Sequence, residues 1–248
     1  MKRINIIVFT AILLILLPLL AQAEGLPTIT VGIGQATDPG QTSTAMQILL
    51  VLTVLSMAPA ILLMTTAFIR LVVVLSFVRQ AMGTQQMPPN QIIIGLALFL
   101  TFFIMAPVFN QVNEKALQPY LDKKISQEQA LNEAVIPMRE FMFKQTKEKE
   151  LGLLMEIAGQ PAPENMDGVP TMTLIPAFML SELKRAFQIG FMVYIPFLVI
   201  DMVVASVLMS MGMMMLPPVI ISLPFKLLLF VLVDGWNLVV SSLVQSFL

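Results

Sequence analysis

Four long apolar runs dominate the chain, at 46–78, 91–110, 190–211 and 219–248, and a charged insert separates the second from the third. As helix, each run can cross a hydrocarbon core of roughly 30 Å, which takes about 20 residues. None is a plain lipid-facing span. Pro59, Pro107, Pro196 and Pro224 sit one in each run, and Arg70, Asp201, Lys226 and Asp234 put charge in three of them. Lipid exposure disfavours both features, whereas a helix packed on other helices or lining a water-filled path accepts them. The pattern predicts an all-α membrane protein with two long helical hairpins, 46–110 and 189–248, flanking a helical insert at 111–188.

The insert holds most of the charge. Ser126-Gln127-Glu128-Gln129 has the form of a capping box and predicts a helix start, a second helix is expected over 137–158, and a Pro/Gly/Asn loop follows at 159–171. An amphipathic helix over 175–188 then leads into the third run.

The two hairpins share their punctuation. Met82-Gly83-Thr84-Gln85-Gln86-Met87-Pro88-Pro89 and Met211-Gly212-Met213-Met214-Met215-Leu216-Pro217-Pro218 both read Met-Gly, three residues, an apolar residue, Pro-Pro. Glycine ends helices by accepting left-handed angles, and proline suits a first turn. Convergence on one kind of hairpin turn and an internal repeat both explain the shared frame. The fillings differ: Thr-Gln-Gln in one, three methionines in the other. Methionine is unbranched and polarizable, so such a turn can mould to an irregular surface and re-form a seal after displacement. A turn buried on a neighbour, or resting in the membrane interface, would look the same in sequence.

Composition narrows the function classes. Of 248 residues 57% are hydrophobic and 12% charged, and the mean hydropathy is +0.87, well outside the range of soluble domains. A net charge of −1 lacks the basic balance of a nucleic-acid binder. With no cysteine and no histidine, disulfides, thiol nucleophiles, most zinc sites and imidazole catalysis are unavailable, and neither metal nor cofactor is expected. Ser222 and Lys226 stand i, i+4, the bare ingredients of a Ser–Lys dyad, but such spacing arises by chance in apolar helices.

Lys2 and Arg3, the apolar stretch 4–20 and Ala21-Gln22-Ala23 predict a signal peptide over 1–23, cleaved before Glu24. Residues 24–45 then read as a flexible extracytoplasmic lead, and its Gly32-Ile33-Gly34 lacks the strand and helix a phosphate loop needs. This start places the insert and the C-terminus outside and both Met-Gly turns inside. The positive-inside count does not support this placement cleanly, since the insert holds nine lysines and arginines and the inner turns only the flanking Arg79. Inserts longer than about 60 residues nevertheless translocate largely regardless of charge.

Within the second hairpin, Asp201 lies ten residues before Met211 and Lys226 seven after Val219, depths of about 15 and 10 Å at helical rise. An Asp201–Lys226 pair is expected, within or between subunits, as a register-fixing ion pair or as a proton relay. Arg70 and Asp234 have no obvious partner in the chain, which points to partner chains.

From about 47 to 247 the chain resembles the FliP family of flagellar type III export-gate subunits. The resemblance rests on Phe77-Val78-Arg79-Gln80-Ala81-Met82-Gly83-Thr84, Pro88-Pro89-Asn90, Gly95-Leu96-Ala97-Leu98-Phe99-Leu100-Thr101, Pro137-Met138-Arg139-Glu140-Phe141-Met142, Ile175-Pro176-Ala177-Phe178, Ser181-Glu182-Leu183-Lys184, Pro196-Phe197-Leu198-Val199-Ile200-Asp201, Pro224-Phe225-Lys226 and Asp234-Gly235-Trp236. It implies a non-enzymatic subunit of a pentameric ring, joined by FliQ and FliR around a pore in the bacterial inner membrane at the flagellar basal body. With FlhA and FlhB, such a gate passes unfolded rod, hook and filament proteins, driven by proton motive force and assisted by an ATPase. The resemblance makes Met213, Met214 and Met215 a gasket, with Gly212, Pro217 and Pro218 as its hinges. It also makes Glu182, Arg139, Arg70 and Asp234 subunit-contact candidates beside the charge pair, within a gate that faces the periplasm and stands largely raised out of the bilayer. An injectisome gate subunit is the same-class alternative. A small proton-coupled solute transporter with Asp201 as carrier is the alternative from another class.

Overall fold

The computed structural model describes residues 39–84, 87–160, 165–213 and 215–247, and all regular structure among them is helical. In order these are α1 (Pro39–Met64), α2 (Phe68–Ala81), α3 (Asn90–Val112), a π turn (Asn113–Leu117) passing into the short α4 (Gln118–Leu121), α5 (Gln127–Gln145) and α6 (Glu148–Ile157). A 3₁₀ turn (Met166–Gly168), α7 (Thr171–Ser210), α8 (Pro218–Leu232) and α9 (Gly235–Gln245) follow. The chain divides into two compact units, Met1–Thr53 and Val54–Leu248. The described part of the first is the N-terminal half of α1, and all the side chains discussed below belong to the second.

Asn90–Leu121 and Thr171–Ser210 are each long and apolar enough to cross a membrane. Ile48–Met64 with Phe68–Ala81, and Pro218–Leu232 with Gly235–Gln245, qualify as well if each bent pair is one span.

The core forms around α2. Ala67, Leu71, Val74, Val78 and Ala81, spaced alternately four and three apart, are all buried, a stripe that faces partners along its whole length. Ile93 and Ala97 of α3, Ala186 and Phe197 of α7, Phe230 of α8 and Val239 and Leu243 of α9 close over it. Helices α2 and α7 run parallel, since Arg70 meets Glu182 while, further along both, Phe77 meets Phe187 and Gly190. A Cβ built on Gly190 would lie 2.6 Å from the Phe77 ring, so the glycine is what lets the two helices approach. A second cluster, Met142, Met155, Val169, Leu174 and Phe178, forms the core of the insert itself.

The signal peptide expected over 1–23 lies outside the described residues. Several other elements depart from the sequence expectation. Helix α1 begins at Pro39, inside the stretch 24–45 expected to be a flexible lead. The run 46–78 breaks at Thr65–Ala67. There the Thr65 hydroxyl donates to the Ile61 carbonyl at 2.9 Å and the Thr66 hydroxyl to Leu63 at 3.4 Å, local bonds that compete with the helical ladder. The run 219–248 breaks at Asp234, whose φ of +51° turns α9 away from α8 by 64°.

Ser126 does start α5 with a complete capping box, but Pro137 lies inside that helix rather than opening the next. The break falls at Thr146–Lys147 instead, where the Thr146 hydroxyl donates to Met142 and the Lys147 amide to Ser181 Oγ at 3.0 Å. The boundary drawn at 188/189 falls within α7. This unbroken helix of about 60 Å joins the insert's core to the second hairpin, a continuity that composition hides because polarity changes midway while helicity does not.

Candidate functional site

Both Met-Gly turns close on a left-handed glycine, Gly83 at φ +76° and Gly212 at φ +74°. In the second, the Gly212 amide donates to the Met209 carbonyl and the Met213 amide to Leu208, each at 3.0 Å, so the last carbonyls of α7 are satisfied by the backbone of the turn itself. Pro218 then opens α8 as its first residue. The first turn is fixed by side chains as well: the Arg79 guanidinium donates to Asn90 Oδ1 at 2.5 Å and to the Pro88 carbonyl at 3.4 Å, and the Thr84 hydroxyl donates to Met87.

The methionine turn is open. Met211 is 65%, Met213 36% and Met215 98% exposed, and Met214 lies outside the described residues. Gly212 and Pro217 are exposed and Pro218 half-buried. The arms that carry the turn are equally bare. Of the described residues from Met202 to Ile221, Leu208 alone is buried, while Met202, Val203, Val207, Val219 and Ile220 all face outward. Between the arms runs a groove of about 460 Å³ lined only by apolar side chains, among them Val199, Val203, Val207, Ile221 and Phe225.

At the base of these arms, Lys226 Nζ lies 2.6 Å from Asp201 Oδ2, and the Ser222 hydroxyl donates to Asp201 Oδ1. The structure thus brings Asp201 and Lys226 together within one chain. Ser222 is bonded to the carboxylate, not to the lysine as a dyad would require. One neighbour escaped the sequence reading: a Cβ on Gly83 would sit 3.7 Å from Lys226 Nζ, so the first turn lies directly on this lysine. Among the described residues no cluster of acidic side chains could cage a metal ion.

Arg70, expected to seek a partner chain, meets Glu182, a candidate for contacts within or between subunits, inside this one. Both side chains are fully buried. Arg70 Nε donates to Glu182 Oε2 at 2.8 Å and Nη2 to Glu182 Oε1. The same guanidinium donates to Gln145 Oε1 at 2.9 Å, to the Ser246 carbonyl at 2.8 Å and to Ser246 Oγ at 2.9 Å, and it stacks 3.6 Å from the Phe247 ring. A charge in an apolar environment must be satisfied from all sides, and two helices, α5 and α7, and the residues after α9 converge on Arg70 to do so. Neither Gln145 nor Ser246 carries a sequence signal for this role, since they lie 75 and 176 residues from Arg70.

Arg139 is half-buried and holds the 3₁₀ turn, donating to Val169 at 2.8 Å, to Met166 at 3.2 Å and to the Thr171 hydroxyl. Asp234 is exposed and accepts from Asn237 Nδ2 at 3.2 Å. On the insert, Lys184 Nζ lies 2.7 Å from Glu150 Oε1, and this hydrogen bond holds the Glu150 carboxyl below the usual carboxylate range against the opposing effect of desolvation.

The FliP family model matches residues 51–243. Flagellar biosynthetic protein FliP of Bacillus subtilis (strain 168) is 60% identical over 217 residues, covering 88% of this chain and 98% of that protein. The FliP of Pectobacterium carotovorum is 55% identical over 203 residues, 82% of this chain and 79% of that one. That of Caulobacter vibrioides is 49% identical over 248 residues, 100% of this chain and 92% of that protein. A match across nearly the whole helical body, at such identities and coverage, leaves one conclusion: the chain belongs to the FliP family.

Proposed function

We propose that this chain is a pore subunit of the flagellar protein-export gate, five copies of which surround a channel for unfolded rod, hook and filament proteins. The observation that carries the proposal is the bare methionine turn. An aqueous turn has no use for three thioethers, and exposed apolar arms of this extent need cover from protein neighbours or lipid. If copies of the turn converge on an axis, Met213, Met214 and Met215 form a compliant plug that closes on itself and yields to a passing chain. Gly212 at φ +74° and the Pro217–Pro218 restart set its geometry. FliQ and FliR complete the ring, FlhA and FlhB act with it, and the gate stands in the bacterial inner membrane facing the periplasm. The flagellar names of the relatives favour this branch over the injectisome.

A transporter would need an available carrier carboxylate near mid-membrane. Asp201 is already engaged by Lys226 and Ser222, which disfavours that reading. Deleting Met213 to Met215 tests the proposal. An assembled complex that leaks ions across the inner membrane supports it, and a tight membrane with normal flagellar export overturns it.

A further inference from the structure

Packing in the second hairpin stops abruptly at one level. Phe197, Ser222, Lys226 and Phe230 are buried, whereas beyond Asp201 and Ser222 the arms have Leu208 as their single buried side chain among the described residues. At that level the two arms are tied twice through one carboxylate, from Lys226 at 2.6 Å and from Ser222. The tie is not confined to the second hairpin. Gly83, the left-handed residue of the first turn, lies against the Lys226 ammonium. The carbonyl end of α2 points a partial negative charge toward a cation placed there, and Arg79 with Asn90 keeps that turn in place. The methionine turn stands about 15 Å further out, ten residues of helix beyond Asp201.

We propose that Asp201, Ser222, Lys226 and Gly83 form a root that positions the methionine turn for closure, so that the first hairpin, through Lys226, sets where the seal of the second sits. The inference rests on the gate reading above and assigns these four residues a positioning role, without contact with the exported chain. Cut from this root, the arms keep their helices, because α7 and α8 continue on both sides of it. They lose the polar ties from Lys226 and Ser222 to Asp201 that fix their angle, and a ring of tips whose angles vary cannot meet in a plug.

The test uses whole cells with the complete export complex and three variants: Lys226→Gln, Asp201→Asn and Gly83→Ala. The last keeps both charges and strains only the turn, whose φ of +76° alanine adopts at a cost of about 1–2 kcal/mol. Each variant that assembles is expected to leak ions at no less than half the rate caused by deleting Met213 to Met215, with the methionines untouched. Membranes as tight as wild type in any assembled single variant overturn the proposal. Should the charge variants fail to assemble, Gly83→Ala decides alone by the same criterion. A leak after deleting the methionines, with none from the root variants, refutes the root and leaves the gate standing. No leak from the deletion itself refutes the gate.

Discussion

Replacing Glu182 by alanine should be among the most damaging single changes in this chain, and the reason is Arg70 rather than Glu182. The guanidinium is fully buried and makes two of its hydrogen bonds to this carboxylate. Its other partners, Gln145 Oε1 and the carbonyl and hydroxyl of Ser246, are neutral and cannot balance the charge. Leaving one member of a buried pair uncompensated costs about 3–5 kcal/mol. At about 1.4 kcal/mol per tenfold, that lowers the folded-to-unfolded ratio by roughly two to three and a half powers of ten. The pair itself is worth far less than this cost implies, because both charges had to leave water. Arg70→Met with Glu182→Leu should therefore recover most of what Glu182→Ala loses. Trp236, the single tryptophan, packs 5.3 Å from Phe230 and reports on the core, so denaturant unfolding in detergent micelles can be followed by its fluorescence. A Glu182→Ala protein within about 0.5 kcal/mol of wild type, the ordinary range of surface substitutions, would refute the reasoning. So would a double variant as unstable as the single one.

Gly190→Ala should destabilise by about 1–3 kcal/mol despite alanine's better helix propensity, since the new methyl meets Phe77 down to its Cβ at 3.1 Å, and Phe77→Ala should restore part of the loss in the same unfolding assay. Gly212→Ala should cost about 1–2 kcal/mol from its φ of +74°, with nothing within 4 Å of the added Cβ to offset or worsen it, whereas Gly95→Ala, equally open but on a helix, should stabilise by up to about 1 kcal/mol. The carboxyl of Glu150 is held low in the fold, so its contribution is complete above the ordinary value of 4.5 and is lost as pH falls through the lower folded value. Hydrogen exchange of α6 should accordingly rise on acidification relative to Glu150→Gln measured at the same pH, and equal acid sensitivity in both would contradict the assignment.

The sequence made the helical hairpins, the left-handed glycines and the Asp201–Lys226 proximity legible because each is a local or period-driven feature. Gly83 and Gly212 announce themselves by their Met-Gly frame, and the ion pair follows from counting residues from one turn. Bends were not legible: Thr65 and Thr66 interrupt a long, mostly apolar run with hydroxyl bonds whose effect depends on the packing behind them. The α5–α6 break was misplaced because Pro137 is tolerated inside a helix whose firm capping box had already set its start. The partners of Arg70 have no signal in the sequence because Gln145, Glu182 and Ser246 reach it only through tertiary contact, and no spacing rule connects positions so far apart. The contact of Gly83 with Lys226 is invisible in the sequence for the same reason.

Placing one cysteine on the methionine turn tests the pore reading most directly, since the chain has no cysteine of its own. Met215→Cys, at the most exposed of the described methionines, should yield covalent oligomers of this chain on mild oxidation of assembled membranes. Lys123→Cys, on the exposed turn after α4, should yield none beyond background. Turns that converge around a shared axis require that result. A Met215→Cys chain that assembles, exports and stays monomeric under the same oxidation would place the methionines apart from one another and contradict a seal built from them.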